Sequence, residues 1–512
     1  MIDENTSLLY RSDILYVSCQ GDSLFSDLNI HQIINTITDG LDEYRLEDLY
    51  SQRPTQCSDA EYRIAVARDF WEREIHEMID SFRIILTKVK RYLGIANSIR
   101  VASIRGKWKL DAAVEYIEAI DLLLRLSDKT VVSDGLKRIL AWVQRYTQTD
   151  AFTNLREVSL ALKKRVDNIA YSLKLDFVNN TVLWSDDNCS EDVCAEFMRT
   201  FDKYDLSHII QEISAFADIH MNVLEEKIFS ILQKEYPDLL AELTVFDSHI
   251  DGFIHEKILA FERESLFFLS YVDFAKRLED KGFPFSFPSF SDQRLLIING
   301  YDASLALVRN DPTKIVKNDF EIIEGEANFL LTGPNQGGKT TFSRMIGQIL
   351  FFSSIGLPVP CEKSDILWTN GLKTHFNIEE NPSGDTGRLK EELIRLNRIL
   401  ATTPKKSVVI LNELFSSTTT YDGLDMGKRI LNLFEEKECI CIYITHLFEL
   451  ADEACAVSLI AEISADCIPT FKITRGPTAG NAFANRLLAK HRLRAADIKE
   501  RTHAAFTAIQ GQ

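Results

Sequence analysis

The sequence predicts an α + α/β protein, in which an all-helical half is joined near residue 290 to an α/β half. Three observations carry this expectation. Before residue 290, apolar residues recur with helical period. After it, short apolar runs of buried-strand type alternate with helical stretches. At one strand-to-helix turn of that second half stands Gly333-Pro334-Asn335-Gln336-Gly337-Gly338-Lys339-Thr340, which fits G-x-x-x-x-G-K-[ST].

In the first half, Ile254, Ile258, Phe261, Ser265, Phe268, Val272 and Ala275 recur at alternating steps of four and three, a narrow seam along one long helix that Gly282 and Pro284 end. Shorter amphipathic stretches over 113–126, 155–173 and 209–235 complete the helical half. The stretch from Phe283 to Phe290 holds four phenylalanines and two prolines, so it reads as a rigid apolar connector docked on both halves. No internal repeat, heptad array or low-complexity block occurs.

In the second half, Phe329-Leu330-Leu331 reads as a buried strand and Thr341 to Phe352 as a helix, which places the glycines where a phosphate-binding loop must stand. Glycines let successive backbone N–H groups point at phosphate oxygens, and the helix N-terminus adds partial positive charge. The cradle expected from this is Gly333 to Thr340 with Thr341 beside it. Lys339 would reach the β- and γ-phosphates of a nucleotide, and the Thr340 hydroxyl would ligate Mg²⁺. Farther on, the apolar run Val408-Val409-Ile410-Leu411 ends in Asn412-Glu413. Glu413 can polarise an attacking water as general base. Asn412 stands where an aspartate is usual and can accept a hydrogen bond from a Mg²⁺-bound water, but it brings no charge to the ion, so slow turnover is expected. A further strand candidate over 439–444 delivers Thr445-His446 to the same sheet edge, where His446 can sense the γ-phosphate.

Thr332 to Thr341 (TGPNQGGKTT), Ser416 to Gly423 (SSTTTYDG) and Thr445 to Leu450 (THLFEL) closely resemble the ABC-type ATPase domain of the MutS family of DNA mismatch repair proteins. Ile315 to Asp319, with Val316, resembles that family's adenine-holding segment, Leu266 to Pro288 its lever helix, and Ile473 to Leu493 its closing strand and helix. The resemblance is strong over about 260–493. It implies a helical core and lever over 1–290, an ATPase domain over 291–493 and a helical tail over 494–512. It also implies ATP and Mg²⁺ as ligands and a homodimer in which a loop of one subunit completes the other's site. The matching loop is Ser383 to Arg388, where Thr386-Gly387-Arg388 lies nearest in register, so Thr386 or Arg388 is the expected γ-phosphate partner. The ring that stacks on adenine in the family corresponds to Val457-Ser458-Leu459, which supplies none.

The mismatch-reading and connector domains of that family do not fit into the residues before the helical half, and no nuclease domain is expected before the chain ends at Gln512. The two Phe-x-Glu occurrences, at Phe70 and Phe434, fall in helical stretches and read as chance. A DNA-gripping clamp could correspond only to about 175–208, which is short and acidic.

Composition fits a cytoplasmic protein: 45% of residues are apolar without a membrane-length run, Met1-Ile2-Asp3-Glu4 starts no export signal, and nine scattered cysteines read as reduced and structural. The net charge of −18 argues against an extensive nucleic-acid surface. One acid-free stretch, over 81–110, carries Arg83, Lys88, Lys90, Arg91, Arg100, Arg105, Lys107 and Lys109 among Tyr92 and Trp108. It is either a solvated helix face that pairs with acidic neighbours or a DNA contact through Lys88, Lys90, Arg91, Arg105 and Lys107. Two functions follow: a dimeric MutS-like ATPase that associates with mismatched or branched DNA, or an ATP-gated switch that recruits a protein partner without binding DNA.

Overall fold

The computed structural model describes residues 6–11, 16–19, 23–169, 172–176, 181–185, 223–376, 388–415, 418–450, 456–464, 468–477, 488 and 493–499; at 172–176, 181–185, 223–227 and 388 the description is of backbone alone. The chain forms two compact units. One comprises Glu72–Val131 and Leu136–Glu262; the other joins Asn5–Trp71 and Val132–Gly135 to Arg263–Gln512. The N-terminal segment is therefore part of the unit that carries the phosphate loop.

That segment runs β1 (Tyr16–Ser18), α1 (Leu24–Asp27), α2 (Ile30–Thr38), α3 (Leu46–Tyr50), β2 (Gln52–Pro54) and α4 (Cys57–Trp71), with β1 and β2 antiparallel. Ile30, Ile33, Ile34 and Ile37 give α2 one buried stripe at helical spacing.

The helical unit follows, with α5 (Arg73–Ser98), α6 (Ala102–Leu126), α7 (Asp134–Tyr146), α8 (Asp150–Asp167), an antiparallel hairpin of β3 (Ser172–Asp176) and β4 (Thr181–Ser185), α9 (Val223–Glu235), α10 (Pro237–His249) and the start of α11 (Glu256–Glu279). Ile75, Ile79, Phe82, Leu86 and Val89 bury one face of α5 at steps of four and three. Gly106 lets α6 approach α10 closely: a Cβ there would stand 2.0 Å from the Leu243 carbonyl oxygen. The stretch expected as a clamp remnant, and the helix expected from 209, lie largely outside the described residues.

The basic stretch over 81–110 folds as the C-terminal part of α5 and the start of α6, and most of its cations are paired with carboxylates. Lys90 Nζ donates to both Glu262 oxygens at 2.8 and 2.6 Å. Arg105 grips Asp247 through Nε at 2.9 Å and Nη2 at 2.5 Å. Lys107 meets Asp111 at 2.5 Å, Lys109 meets Asp247 and Asp251, and Lys88 pairs with Glu115. Glu262 and Asp247 are buried, and these cations supply their counter-charge. Tyr92 and Trp108 pack edge to face on one another. Of the five residues expected at DNA, four hold internal ion pairs, and Arg91 is exposed.

The expected seam of α11 is buried at Ile258, Phe261, Ser265, Phe268, Val272 and Ala275, while Ile254 precedes the helix. From Leu266 onward the burial is broader than a seam. Phe267 packs on Tyr50, Phe268 on Phe70, and Tyr271 on Phe352, so this part of the helix is enclosed by its own unit. The connector docks through its rings: Phe283 on Tyr301, Phe285 on Phe274, Phe287 on Trp71 and Phe290 on Trp368.

The rest of this unit adds β5 (Ser289–Ser291), β6 (Leu295–Gly300), α12 (Ala303–Arg309), β7 (Asn318–Ile322), β8 (Asn328–Thr332), α13 (Lys339–Ser354), β9 (Lys363–Leu367), β10 (Leu372–His375), α14 (Arg388–Thr402), β11 (Val408–Asn412), α15 (Thr420–Glu436), β12 (Ile440–Ile444), β13 (Val457–Ile463) and β14 (Pro469–Arg475). Six strands form one sheet in the order β10-β11-β12-β8-β13-β14, parallel except for β14; β5, β9, β6 and β7 form a second. β8 and β11 are buried along their whole length, the reading expected of strands covered on both faces.

Buried polar groups pin the N-terminal segment to this sheet. Asp27 accepts from Thr374 Oγ1 at 2.8 Å, from the Phe376 N–H at 3.3 Å and from Arg395 at 2.5 Å. Burial pushes its carboxyl above the usual range even against the Arg395 charge. Gln348 of α13 donates to the Leu28 carbonyl at 2.9 Å, and a Cβ at Gly347 would strike the Leu28 side chain.

His375, at the end of β10, is fully buried with no partner on either ring nitrogen among the described residues. Burial first, and then the Arg395 charge, hold its pKa down to about 4. The unfolded chain binds this proton near pH 6.5 and the folded chain does not, so His375 makes stability fall as pH drops from about 6.5 to 4, by up to about 3 kcal/mol. Urea unfolding of His375→Phe should show a shallower loss of stability between pH 7 and 4.5 than the parent chain; identical slopes would contradict this account.

Candidate functional site

Three strand ends build the site. In the parallel sheet, Leu331 lies opposite Ile444 and Ile444 opposite Asn412, so the turns after β8, β12 and β11 open on one edge. The turn after β8 is the phosphate loop. Its backbone takes positive φ at Gly333 (137°), Gln336 (62°) and Gly338 (87°), and Gly338 caps α13. A Cβ on Gly333 would stand 2.7 Å from that of Ala461 on a backbone of positive φ, so that position requires glycine, and one on Gly337 would stand 3.0 Å from the Pro334 oxygen, a tight contact.

Lys339, the first residue of α13, is buried, and its ammonium donates to the carbonyls of Gly333 at 3.0 Å and Pro334 at 2.8 Å. Burial lowers its pKa, and the negative charge of Glu413 opposes that shift. A phosphate oxygen can compete with both carbonyls for this ammonium, because it brings the counter-charge that they lack.

After β11, Glu413 takes φ 54°, its N–H donates to the Ile444 carbonyl at 2.9 Å, and its Oε1 lies 3.2 Å from His446 Nε2. Both side chains are partly exposed, so a water can reach the carboxylate. Phe415, two residues on, donates its N–H to the buried Glu392 of α14 at 3.1 Å, which fixes the turn that aims Glu413.

Asn412 is buried, and its Oδ1 has no hydrogen-bond partner among the described residues. An orphaned acceptor costs about 1–3 kcal/mol, and its position at the end of β11 suits a water carried by a metal ion. The residues present therefore fit Mg²⁺: Thr340 offers a hydroxyl ligand and Asn412 an acceptor for the ion's water shell.

A cavity of about 370 Å³ opens along the loop. Asn335 to Thr341, Val316 and Glu413 line it; Gly333, Pro334, Asn412 and His446 lie outside its wall. The structure adds Tyr301, Asp302, Leu305, Arg309, Lys314 and Phe471. Phe471 adds a ring to the cavity wall that the sequence reading did not identify. Val457-Ser458-Leu459 form β13 inside the sheet, and the ring comes from β14, where Phe471 has φ 60° and is half exposed. Asn318 fixes it there, donating to the Phe471 carbonyl at 3.0 Å and accepting from the Ile473 N–H at 2.9 Å. No spacing rule picks out Phe471, because its left-handed backbone breaks the strand alternation. Thr386 lies outside the described residues, and of Arg388 only the backbone, at the start of α14, is described.

Residues 329–474 match the family model of MutS domain V. Over 167 residues, 32% of this chain and 17% of the relative, the sequence is 29% identical to the DNA mismatch repair protein MSH2 of Saccharomyces cerevisiae. It is 30% identical over 142 residues to the DNA mismatch repair protein Msh2 of Dictyostelium discoideum, 27% of this chain and 15% of that one. It is also 30% identical over 167 residues to the DNA mismatch repair protein MutS of Erythrobacter litoralis, 32% of this chain and 19% of that one. The chain thus matches less than a fifth of the length of these relatives. Its C-terminal third is distantly homologous to the MutS and MSH2 proteins and carries the ATP-binding, ABC-type ATPase domain of their family. No helix among the described residues is long and apolar enough to cross a membrane.

Gly333→Ala should weaken binding of a fluorescent ATP analogue by more than about tenfold, since it adds both a clash and backbone strain at the loop. Gly325→Ala, at a turn with open space around it, should leave that binding within about twofold. Equal affinities for the two variants would refute the cradle as drawn.

Proposed function

We propose that this chain is a slow Mg·ATP-dependent ATPase that closes as a homodimer and associates with mismatched or branched DNA. The observation that carries the reading is the convergence of Lys339, Glu413 and His446 on one sheet edge beside a cavity of about 370 Å³. Lys339 exchanges its loop carbonyls for the β- and γ-phosphates, and the backbone N–H groups of 335–341 hold the phosphate chain. Phe471 and Val316 hold the base end. Glu413 accepts a proton from the attacking water, while His446 fixes the carboxylate through Oε1 and faces the γ-phosphate. Bound Mg²⁺ supplies charge neutralisation of the phosphates. Thr340 and Asn412 would hold it, and the neutral Asn412 makes that hold weak, which is the reason to expect slow turnover. Thr386 or Arg388 of a second copy would complete each site.

DNA association is drawn from relatives that are DNA mismatch repair proteins. The alternative, an ATP-gated switch for a protein partner, draws on the ion pairs that occupy Lys88, Lys90, Arg105 and Lys107 and on the net charge of −18. If DNA is bound, the segment over 81–110 contributes little beyond Arg91 and Arg100, both exposed.

Glu413→Gln should slow steady-state phosphate release by roughly 10²–10⁴-fold while ATP affinity stays within about twofold, and Asn412→Asp should lower the Mg²⁺ concentration needed for half-maximal rate. With Glu413→Gln, ATP should also shift the mass seen by light scattering from monomer to dimer. Unchanged phosphate release in that variant would remove Glu413 from its role.

Salt titration of binding to duplex, branched and single-stranded DNA separates the two readings. Under the first, affinity falls with salt at about −0.9 log units per phosphate contact on duplex, and Arg91→Ala flattens the slope by up to about 1. Lys90→Ala should instead lower thermal stability, by about 1–3 kcal/mol once its partial exposure is allowed for, because Glu262 is left buried without its cation. Binding at about 50 mM salt no tighter than that of an unrelated acidic protein would favour the partner switch.

A further inference from the structure

Asp27 is the last residue of α1, in an N-terminal segment that lies outside the residues matching MutS domain V. This one residue touches both helices that serve the phosphate site. Its main-chain carbonyl accepts from Arg344 Nε of α13 at 3.0 Å. Its carboxylate accepts from Arg395 Nη2 of α14 at 2.5 Å, from Thr374 Oγ1 at 2.8 Å and from the Phe376 N–H at 3.3 Å. Both arginines also hold Phe376: Arg344 lies over its ring, 5.9 Å from the centroid, and Arg395 Nη1 donates to its carbonyl at 3.0 Å. One residue on, the Leu28 carbonyl accepts from Gln348 of α13 at 2.9 Å.

The two helices lead to two different parts of the chemistry. α13 begins with Lys339, five residues before Arg344. α14 carries Glu392 three residues before Arg395, and Glu392 accepts the Phe415 N–H at 3.1 Å. Glu413 and Phe415 stand at φ 54° and 60°, a conformation that costs a non-glycine residue energy and persists only where its surroundings hold it. The turn that presents Glu413 therefore depends on where α14 lies. β10, which precedes α14, is at the edge of the described sheet, so Asp27 grips α14 where no further strand stands beside it. A buried ion pair adds little net stability over an apolar contact of the same size, and burial pushes the Asp27 carboxyl upward against the Arg395 charge. What the pair supplies is one fixed geometry.

We propose that Asp27 is a positioning residue for ATP hydrolysis: by clasping α13 and α14 at one spacing, it sets Glu413 against the phosphates that Lys339 holds. The proposal rests on the roles given above to Lys339 and Glu413. Nucleotide affinity draws on the loop N–H groups and on Lys339, which all belong to the turn after β8 and the start of α13. Hydrolysis needs a second element as well, because the water activated by Glu413 must meet the γ-phosphate in line. A misplacement of about 1 Å between two such elements costs up to about 10²-fold in rate. Loosening the clasp therefore lowers the rate and spares the affinity.

Steady-state phosphate release and affinity for a fluorescent ATP analogue test it, both measured on the full chain well below its unfolding temperature. Asp27→Asn keeps the side-chain shape and an acceptor but removes the charge that Arg395 grips. Its kcat should fall about tenfold, with affinity within about twofold of the parent. Arg395→Gln should do the same, Arg395→Lys should keep part of the rate, and the double variant D27N/R395Q should be no slower than either single one, because the pair acts as a unit. Asp425→Asn, at an exposed pair with Arg429 on α15, should change nothing. Should circular dichroism show Asp27→Asn unfolded, Arg344→Met opens the other side of the clasp at a partly exposed site and should give the same split, with kcat down at least about threefold. A kcat within about twofold of the parent in these variants, in a chain that Glu413→Gln still inactivates, would overturn the clasp and leave Glu413 in its role. Equal losses of rate and affinity would overturn it too, as would additive losses, which would show that Asp27 and Arg395 do not act together. Hydrolysis that survives Glu413→Gln would remove the reading on which the clasp rests.

Discussion

The parallel, in-register pairing of β8, β12 and β11 is the constraint on which the rest of the site depends. A slip of one residue in any of these ladders would turn the buried side chains of that strand to the opposite face, at a hydrophobic cost that wholly buried strands cannot bear. Because the register is fixed, Thr332, Glu413 and Thr445 stand at the same level, and the Thr445 N–H donates at 3.1 Å to the carbonyl of Leu331, a residue 114 positions earlier in sequence. Lys339 and Glu413 influence one another electrostatically through this arrangement. Parallel strands also require long crossovers, and helices α14 and α15 supply them between β10 and β11 and between β11 and β12.

A second level of organisation holds that sheet from outside. Arg63 of α4 is fully buried and donates to the carbonyls of Leu9 and Gln52 and to that of Ile355, just past α13. Glu264 of α11 accepts from Ser7 and from the Leu8 N–H, and Tyr271 donates to the Pro358 carbonyl. Each bond replaces water on a buried polar group, so each is worth little in net stability yet costs several kcal/mol to break on one side. Such bonds select one docking of the N-terminal segment more than they drive it. They also reach the elements of the candidate site, since Gln348 lies on the helix that Lys339 begins and Arg395 on the helix whose Glu392 holds the Phe415 N–H.

Much of the candidate site's layout was legible in sequence, because its physics is local. A glycine-rich turn between a buried strand and a helix is encoded in neighbouring residues, and so is an apolar run that ends in Asn412-Glu413. The seam of α11 was legible for the same reason at Ile258 to Ala275, although enclosure of the later turns by Tyr50, Phe70 and Phe352 was not. What stayed hidden depends on partners far away in the chain. Phe471 reaches the cavity because Asn318, 153 positions earlier, holds its carbonyl. Asp27 carries no motif, and its part in the sheet edge exists only through Thr374, Phe376 and Arg395.

Charge is where sequence and structure differ most instructively. A run of basic residues without a single acid, read along the chain, suggests a surface for phosphates. In space, α5 and α6 bring Lys90 to Glu262 and Arg105 to Asp247, and the acids come from segments 142 to 172 residues away. Linear charge patterning counts side chains but not their partners, and a helix pair can hide its neutralisation wholly in tertiary contacts. The converse holds at α14, where Arg395 and Arg398 sit in a stretch that also contains Glu391 and Glu392 and so looks balanced in sequence. There Glu392 is turned to the Phe415 N–H, while Arg398 lines a cavity that has no carboxylate among its described lining residues. Local excess of positive charge in this protein is therefore set by which face of a helix each residue occupies, and the face that matters electrostatically is the one the composition conceals.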